Sequence, residues 1–565
     1  GMLHAFNGGF INTANRRYDL TRAQESHETS PPTAHPLGAE LWAYVPKNSL
    51  PHLQWLTEIN YPHVYYVDGR TQIFDVNIFS DDTDHPGGWG TILVATMRLG
   101  GGSDDPVNPT TIPVDVDNTD GDFDGATNTD FTARSAVLIF DVTNPEKPPV
   151  LLGEVTHPQL GFTTSTPNIV AAREADLFGD WSNPSINEWF LVFGSGPTDL
   201  KTATSNQAPS MFVLDLKSID AGILDLTQKT IPLPASVDAA SPTGNGYAFV
   251  GEPHTEDWNR DYQYDTVYFG LDSTDASSIP YATGGALMRM QMTGLNPTDG
   301  SSDWVIDTVI DLGQAFNAKP TTTKDTSELW VYGGTGRLFL KNDNTTSSVE
   351  SFIGIREKVD NATGLPDTTA SGATTGDFRK GGSSTTPADD ELQNTTNIQI
   401  FANGSLQDPD GRVPASVVNF DLLRGHIQTT GGWYFDFDSS TDSPHRRNFT
   451  RSIIFSRQLL FTTYNPSIDT CLPEGTSNLY AIYYSTGTAY PDAAFGNSTT
   501  NFNNSSPETP NNIDLGIGVA SEPVMLPGDK VAVQKSTSET IDVKVKRTGM
   551  VSSGRRSWRE IQINW

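Results

Sequence analysis

Leu138-Ile139-Phe140-Asp141-Val142, Phe212-Val213-Leu214-Asp215-Leu216 and Trp433-Tyr434-Phe435-Asp436-Phe437 share one pattern, an apolar run closed by an aspartate and a last apolar residue. Leu287–Met292 is a degenerate copy with Gln291 at the acidic place. From Asp141 through Asp215 to Gln291 the interval is about 75 residues, against ~40–45 for a WD40 blade. Recurrent short β units predict a β-propeller whose blades carry large loops.

Outward from the repeat, other short apolar runs are bounded by Gly, Pro, Asn or Asp. Strands are predicted at Leu41–Val45, Thr91–Met97, Ala136–Val142, Trp189–Phe193, Met211–Leu216, Thr266–Leu271, Ala286–Met292, Leu329–Tyr332, Trp433–Phe437 and Leu459–Thr463. Helical periodicity between them is scarce, which argues against a parallel α/β architecture. The 50 glycines and 37 prolines suit many turns. Residues 1–565 read as a single all-β domain. Segments 100–132, 359–396 and 490–512 read as insertions, being rich in Asp, Asn, Ser, Thr and Gly with little to bury.

Acidic residues outnumber basic ones 68 to 36, for a formal net charge of -32. A nucleic-acid binder needs Lys and Arg against phosphates, so that class is excluded. The acidic excess repels itself in the folded state, and bound divalent cations relieve such repulsion. The single cysteine, Cys471, allows no internal disulfide and leaves the redox compartment open. No apolar stretch approaches the ~18–20 residues of a membrane helix. No signal peptide is evident. The start at Gly1, close to a strand, is read as that of a fragment or processed form.

The sharpest chemical motif is Asp257-Trp258-Asn259-Arg260-Asp261-Tyr262-Gln263-Tyr264-Asp265. Oxygen-bearing side chains fall at loop positions 1, 3, 5 and 9, and Gln263 at position 7 can offer its carbonyl. That is the opening of an EF-hand-type calcium loop, because calcium takes six to eight hard oxygen ligands from alternate residues. Three crowded carboxylates also repel one another without a cation. The loop departs from the EF-hand at position 6, where Tyr262 replaces Gly, and at position 12, where Tyr268 replaces the bidentate Glu. The expected site is therefore Asp257, Asn259, Asp261, Gln263 and Asp265 on a β scaffold, with Ca2+ bound. Asp120, Asp122 and Asp124 open a second candidate loop, for which a solvated acidic turn is the competing reading. HExxH, GxSxG and P-loop signatures are lacking, and no catalytic residue is assigned.

Taken in order, several segments resemble the PilY-type C-terminal domain of type IV pilus biogenesis. They run from Gly1–Phe6, Glu40–Pro46 and Tyr65–Gly69 through Ile139–Pro145, the Asp257–Asp265 loop and Val267–Gly270. Val331–Gly336, Ser351–Ile355, Gly432–Tyr434, Phe461–Tyr464 and Arg555–Glu560 follow. The resemblance implies a modified seven-bladed propeller with calcium on Asp257, Asn259, Asp261, Gln263 and Asp265. It also implies a protein that is no enzyme, exported to the pilus tip or cell surface, outer membrane-associated or periplasmic. Its partners would be major and minor pilins, the pilus assembly machinery, and a host or abiotic surface. There it would promote extension, oppose retraction and support adhesion and twitching. The chain departs from the family at Asn7 for an Asp, at Met288 for a Trp, and in extra residues over Asp272–Thr283. The family's N-terminal adhesive region is not in this sequence.

Two rivals come from other classes. A quinoprotein dehydrogenase is also a propeller, and Gly38–Trp42 loosely matches its Gly…Trp motif, but one cysteine cannot make the vicinal disulfide of many such enzymes. A polysaccharide-binding surface propeller is the other.

Overall fold

The computed structural model of the chain describes residues 1–547 except 13–14, 16, 23, 25–28, 62, 103–110, 115–130, 174–186, 200, 241–245, 276–281, 299, 301–302, 326–327, 340–342, 344–348, 361–362, 368–376, 438–444, 468–474 and 496–505. The runs expected to be strands are strands, with ends shifted by a few residues. They build seven successive sheets, besides three hairpins set in connections.

The first sheet pairs Leu3–Phe6 with Glu40–Tyr44. The second holds Thr71–Asn77, Trp89–Thr96, Val137–Asp141 and Val150–Val155. The third holds Asn168–Arg173, Asn187–Gly194, Ser210–Asp215 and Leu226–Thr230. The fourth is built on Thr266–Asp275, Ala286–Met292 and Trp304–Asp311, with Phe249–Val250 and His254–Glu256 pairing onto its first long strand. The fifth starts with Thr321–Asp325, Glu328–Gly334, Ser351–Glu357 and Gly432–Asp436. The sixth holds Ile453–Phe455, Gln458–Asn465, Thr476–Tyr483 and Asn512–Ile517, and the seventh Val524–Leu526, Lys530–Gln534 and Thr540–Lys544.

Each apolar cluster lies between consecutive sheets. One joins the first and second, around Leu3, Leu93 and Phe140. The next four join second to third, third to fourth, fourth to fifth and fifth to sixth. The last joins sixth to seventh, around Leu460, Leu479 and Val531. A sheet covered on both faces needs apolar residues on both, so its strands read as unbroken runs rather than alternations. Val137–Asp141 and Ser210–Asp215 show this, buried throughout except at the final Asp. Gly270 marks how closely neighbouring sheets approach, since a Cβ there would lie 2.0 Å from the Phe316 carbonyl oxygen. Face-to-face packing of successive small sheets is the propeller architecture.

The repeat has a physical meaning in two of its copies. Asp141 and Asp215 end the third strand of their sheets and fold the chain over. Asp141 Oδ1 accepts the Thr143 N–H at 2.9 Å, and Asp215 Oδ1 accepts that of Lys217 at 2.8 Å. Gln291 lies on the third strand of its sheet as well. Asp436 differs, ending the fourth strand of the fifth sheet and accepting from Ser351 Oγ at 2.6 Å. The reading of segment 359–396 as an insertion with little to bury also needs correction. Arg379–Lys380 and Glu391–Asn394 extend the fifth sheet in parallel, and Phe378 and Leu392 are buried.

Candidate metal centre

The Asp257–Asp265 loop closes a hairpin whose last paired residues are Glu256 and Thr266. The Asp265 N–H donates to the Glu256 carbonyl at 2.9 Å and cinches its base. The sheets on either side hold it. Tyr264 N–H donates to the Ala171 carbonyl of the third sheet at 3.0 Å. Lys324 Nζ of the fifth donates to the Trp258 carbonyl at 2.5 Å. Trp258 itself is fully buried, edge-on to Tyr268 with ring centres 6.2 Å apart.

Within the loop the acidic side chains fold back on the backbone. Asp257 Oδ1 accepts the N–H groups of Arg260 at 2.5 Å and Asp261 at 3.2 Å, and its Oδ2 accepts that of Tyr262 at 2.9 Å. Asn259 Oδ1 accepts the Asp261 N–H, and Asp261 Oδ1 that of Gln263, both at 2.9 Å. Asp265 Oδ2 accepts from Trp258 N–H at 2.7 Å. Tyr262 lies at φ 72 and Arg260 at φ 64. Position 6 therefore has the left-handed backbone that glycine supplies in an EF-hand, although a tyrosine occupies it.

The electrostatics show a shortage of positive charge. Burial pushes the Asp265 carboxyl up to about 7, and the nearby charges of Asp257 and Asp261 add to the rise. Burial raises Asp257 too, against three backbone donors. Among the described residues no Lys, Arg or His forms an ion pair with Asp257, Asp261 or Asp265. Hard oxygen donors in this number suit a divalent cation such as calcium. As the loop stands, its carboxylates are spent on its own N–H groups, and no three His, Cys, Asp or Glu side chains gather as a metal cage among the described residues. Gln263 turns its amide onto Asp261 Oδ2 at 3.3 Å.

Tyr268, at loop position 12, takes a different role. Its hydroxyl donates to Glu357 Oε1 at 2.8 Å, while Glu357 Oε2 accepts from Arg289 Nη1 at 2.7 Å. Arg289, fully buried, also reaches Asp307 at 2.5 Å and Asp377 at 2.7 Å. This cluster under the loop was not assigned from sequence. Its signal is one arginine inside the apolar strand Ala286–Met292, which demands buried counter-charges. Asp120, Asp122 and Asp124 lie outside the described residues, as does Cys471.

Two proteins of Xylella fastidiosa (strain Temecula1), both named type IV pilus biogenesis factor PilY1 homolog, are similar to the chain. They are 23% identical over 542 residues and 22% over 471, covering 93% and 80% of this chain. The chain spans 34% and 25% of their lengths. The crystal structure of the Pseudomonas aeruginosa PilY1 C-terminal domain superposes with a TM-score of 0.51 at 17% identity, over 91% of this chain and 89% of that one. In sequence the chain resembles these pilus biogenesis factors, and its fold is that of the PilY1 C-terminal domain. No family model matches it. The PilY-type fold places the acidic loop on the fourth sheet, clamped by the third and fifth.

Proposed function

We propose that this PilY-type chain acts in type IV pilus biogenesis as a calcium-binding propeller. It is exported to the pilus tip or cell surface, works with pilins and the assembly machinery, favours extension over retraction, and supports adhesion and twitching. The observation that carries the role is likeness to two type IV pilus biogenesis factors along most of the chain. Calcium is supported by the 1-3-5-9 spacing, the left-handed position 6 and the lack, among the described residues, of a cationic partner for three loop carboxylates. Asp257, Asn259, Asp261, Gln263 and Asp265 would hold the ion, which would supply the missing positive charge and tie the loop's ends together.

The test is paired. Calorimetry on Asp257→Ala and Asp265→Ala should show loss of calcium binding with an intact melting transition. The same substitutions in the native pilus system should alter surface piliation and twitching. Unchanged affinity in both variants would remove calcium from the loop. Normal piliation when the whole chain is deleted would remove the pilus role.

A further inference from the structure

Six polar residues lie on the segments entering the second to seventh sheets, five of them just before a first strand and Glu252 between Phe249–Val250 and His254–Glu256. In chain order these are Arg70, Thr166, Glu252, Lys319, Arg451 and Glu522. A cavity of ≈ 750 Å³ is lined by four of them, Arg70, Thr166, Glu252 and Glu522. Asn317 and Thr450 line it too, and Lys319 and Arg451 lie directly beyond them along the chain.

The members are unequally partnered. Arg70 Nη1 reaches Glu522 at 3.3 Å and Glu252 at 3.7 Å, and Thr166 donates to Glu252 Oε1 at 3.2 Å. Lys319 and Arg451 form no hydrogen bond or ion pair among the described residues, and Arg451 Nε is buried without an acceptor. The Arg451 charge acts on Lys319, and the segments that carry them are stitched by Thr321 Oγ1 donating to the Ser452 carbonyl at 2.7 Å. Burial and the neighbouring Arg451 charge push the Lys319 ammonium down to about 8.

The charge count selects the ligand. Of the other charged groups lining the cavity, Asp68 pairs with Arg98 and Lys535 with Glu539, so Arg70, Lys319 and Arg451 against Glu252 and Glu522 leave one positive charge over in a chain of net charge -32. Glu256 stands further along its strand, where it accepts from Thr322 and faces His254 at 3.5 Å. A monoanion balances the ring, whereas a phosphate near two negative charges overshoots. A carboxylate also matches the planar fork of a guanidinium.

We propose that the axis of the propeller is a carboxylate-binding site in which Lys319 and Arg451 hold one carboxylate between them. The carboxylate comes from a small free acid or from a peptide, and the probes separate these sources. Carbon-13 acetate, a short free-acid peptide, its C-terminally amidated form and inorganic phosphate are each titrated onto the full chain, with line broadening as readout. Acetate, or the free-acid peptide but not its amide, should bind saturably. Lys319→Met and Arg451→Met should each weaken binding by about tenfold or more, the worth of one charge-assisted hydrogen bond. Lys319→Arg should retain it. If a Met variant fails to fold, competition between acetate and the free-acid peptide on the unmodified chain decides, saturable displacement being the supporting result. Binding equal in folded variants and parent, preference for phosphate, or no saturable binding of either carboxylate would overturn the proposal.

Discussion

The backbone N–H of Tyr262 donates to Asp257 Oδ2 at 2.9 Å while Tyr262 sits at φ 72, so the first aspartate of the loop holds a tyrosine in a glycine's conformation. An L-residue costs roughly 1–2 kcal/mol more there than glycine. The Tyr262 side chain is 71% exposed and loses little burial when removed. Tyr262→Gly should therefore stabilise the chain by about 1 kcal/mol, read as a higher urea midpoint at unchanged slope.

Asp265 bears on the metal directly. Its carboxyl is nearly buried, takes N–H donors from Trp258 and Asn259, and has no ion-pair partner among the described residues. Asp265→Asn keeps the accepting oxygen and deletes the charge. Without metal, the variant should melt higher than the parent. Calcium should raise the melting temperature of the parent and leave that of the variant unmoved.

Arg289 binds three carboxylates in a fully enclosed cluster. Removing one partner of a buried ion pair typically costs about 3–5 kcal/mol, because the uncompensated charges remain. Arg289→Met should cost at least that much in chemical denaturation. A smaller loss would mean that water reaches Asp307, Glu357 and Asp377.

Lys319 gives a pH dependence with a definite sign. Its folded value near 8 lies below the ordinary 10.5, so between those values the unfolded chain binds the extra proton. Stability then rises with pH across that window, by an amount on the order of 1–3 kcal/mol. Below pH 8 the full cost of the buried ammonium is present. Lys319→Met should flatten the slope, as measured by urea midpoints from pH 7.5 to about 10.5.

The strands were legible because a sheet covered on both faces writes itself as apolar runs, and Val137–Asp141 and Ala286–Met292 do so plainly. The aspartates ending the repeat were legible as a pattern but not as a cause. Asp141 and Asp215 make turns, while Asp436 reaches Ser351 across the sheet, and nothing local in sequence separates these. The loop's spacing of oxygen-bearing side chains was legible as a pattern. Their closure on the loop's own N–H groups was not, because it depends on the left-handed backbone at Arg260 and Tyr262. The Arg289 cluster and the axial ring stayed hidden for another reason. Their members come from different sheets and meet only when the ring assembles.

Among the described residues, six apolar clusters join consecutive sheets. The Arg70–Glu522 ion pair, by contrast, links the segments entering the second and seventh sheets across the axial cavity. That pair weakens with salt, while the apolar joints do not. Salt thus loosens the middle of the ring before it loosens the seams between its sheets.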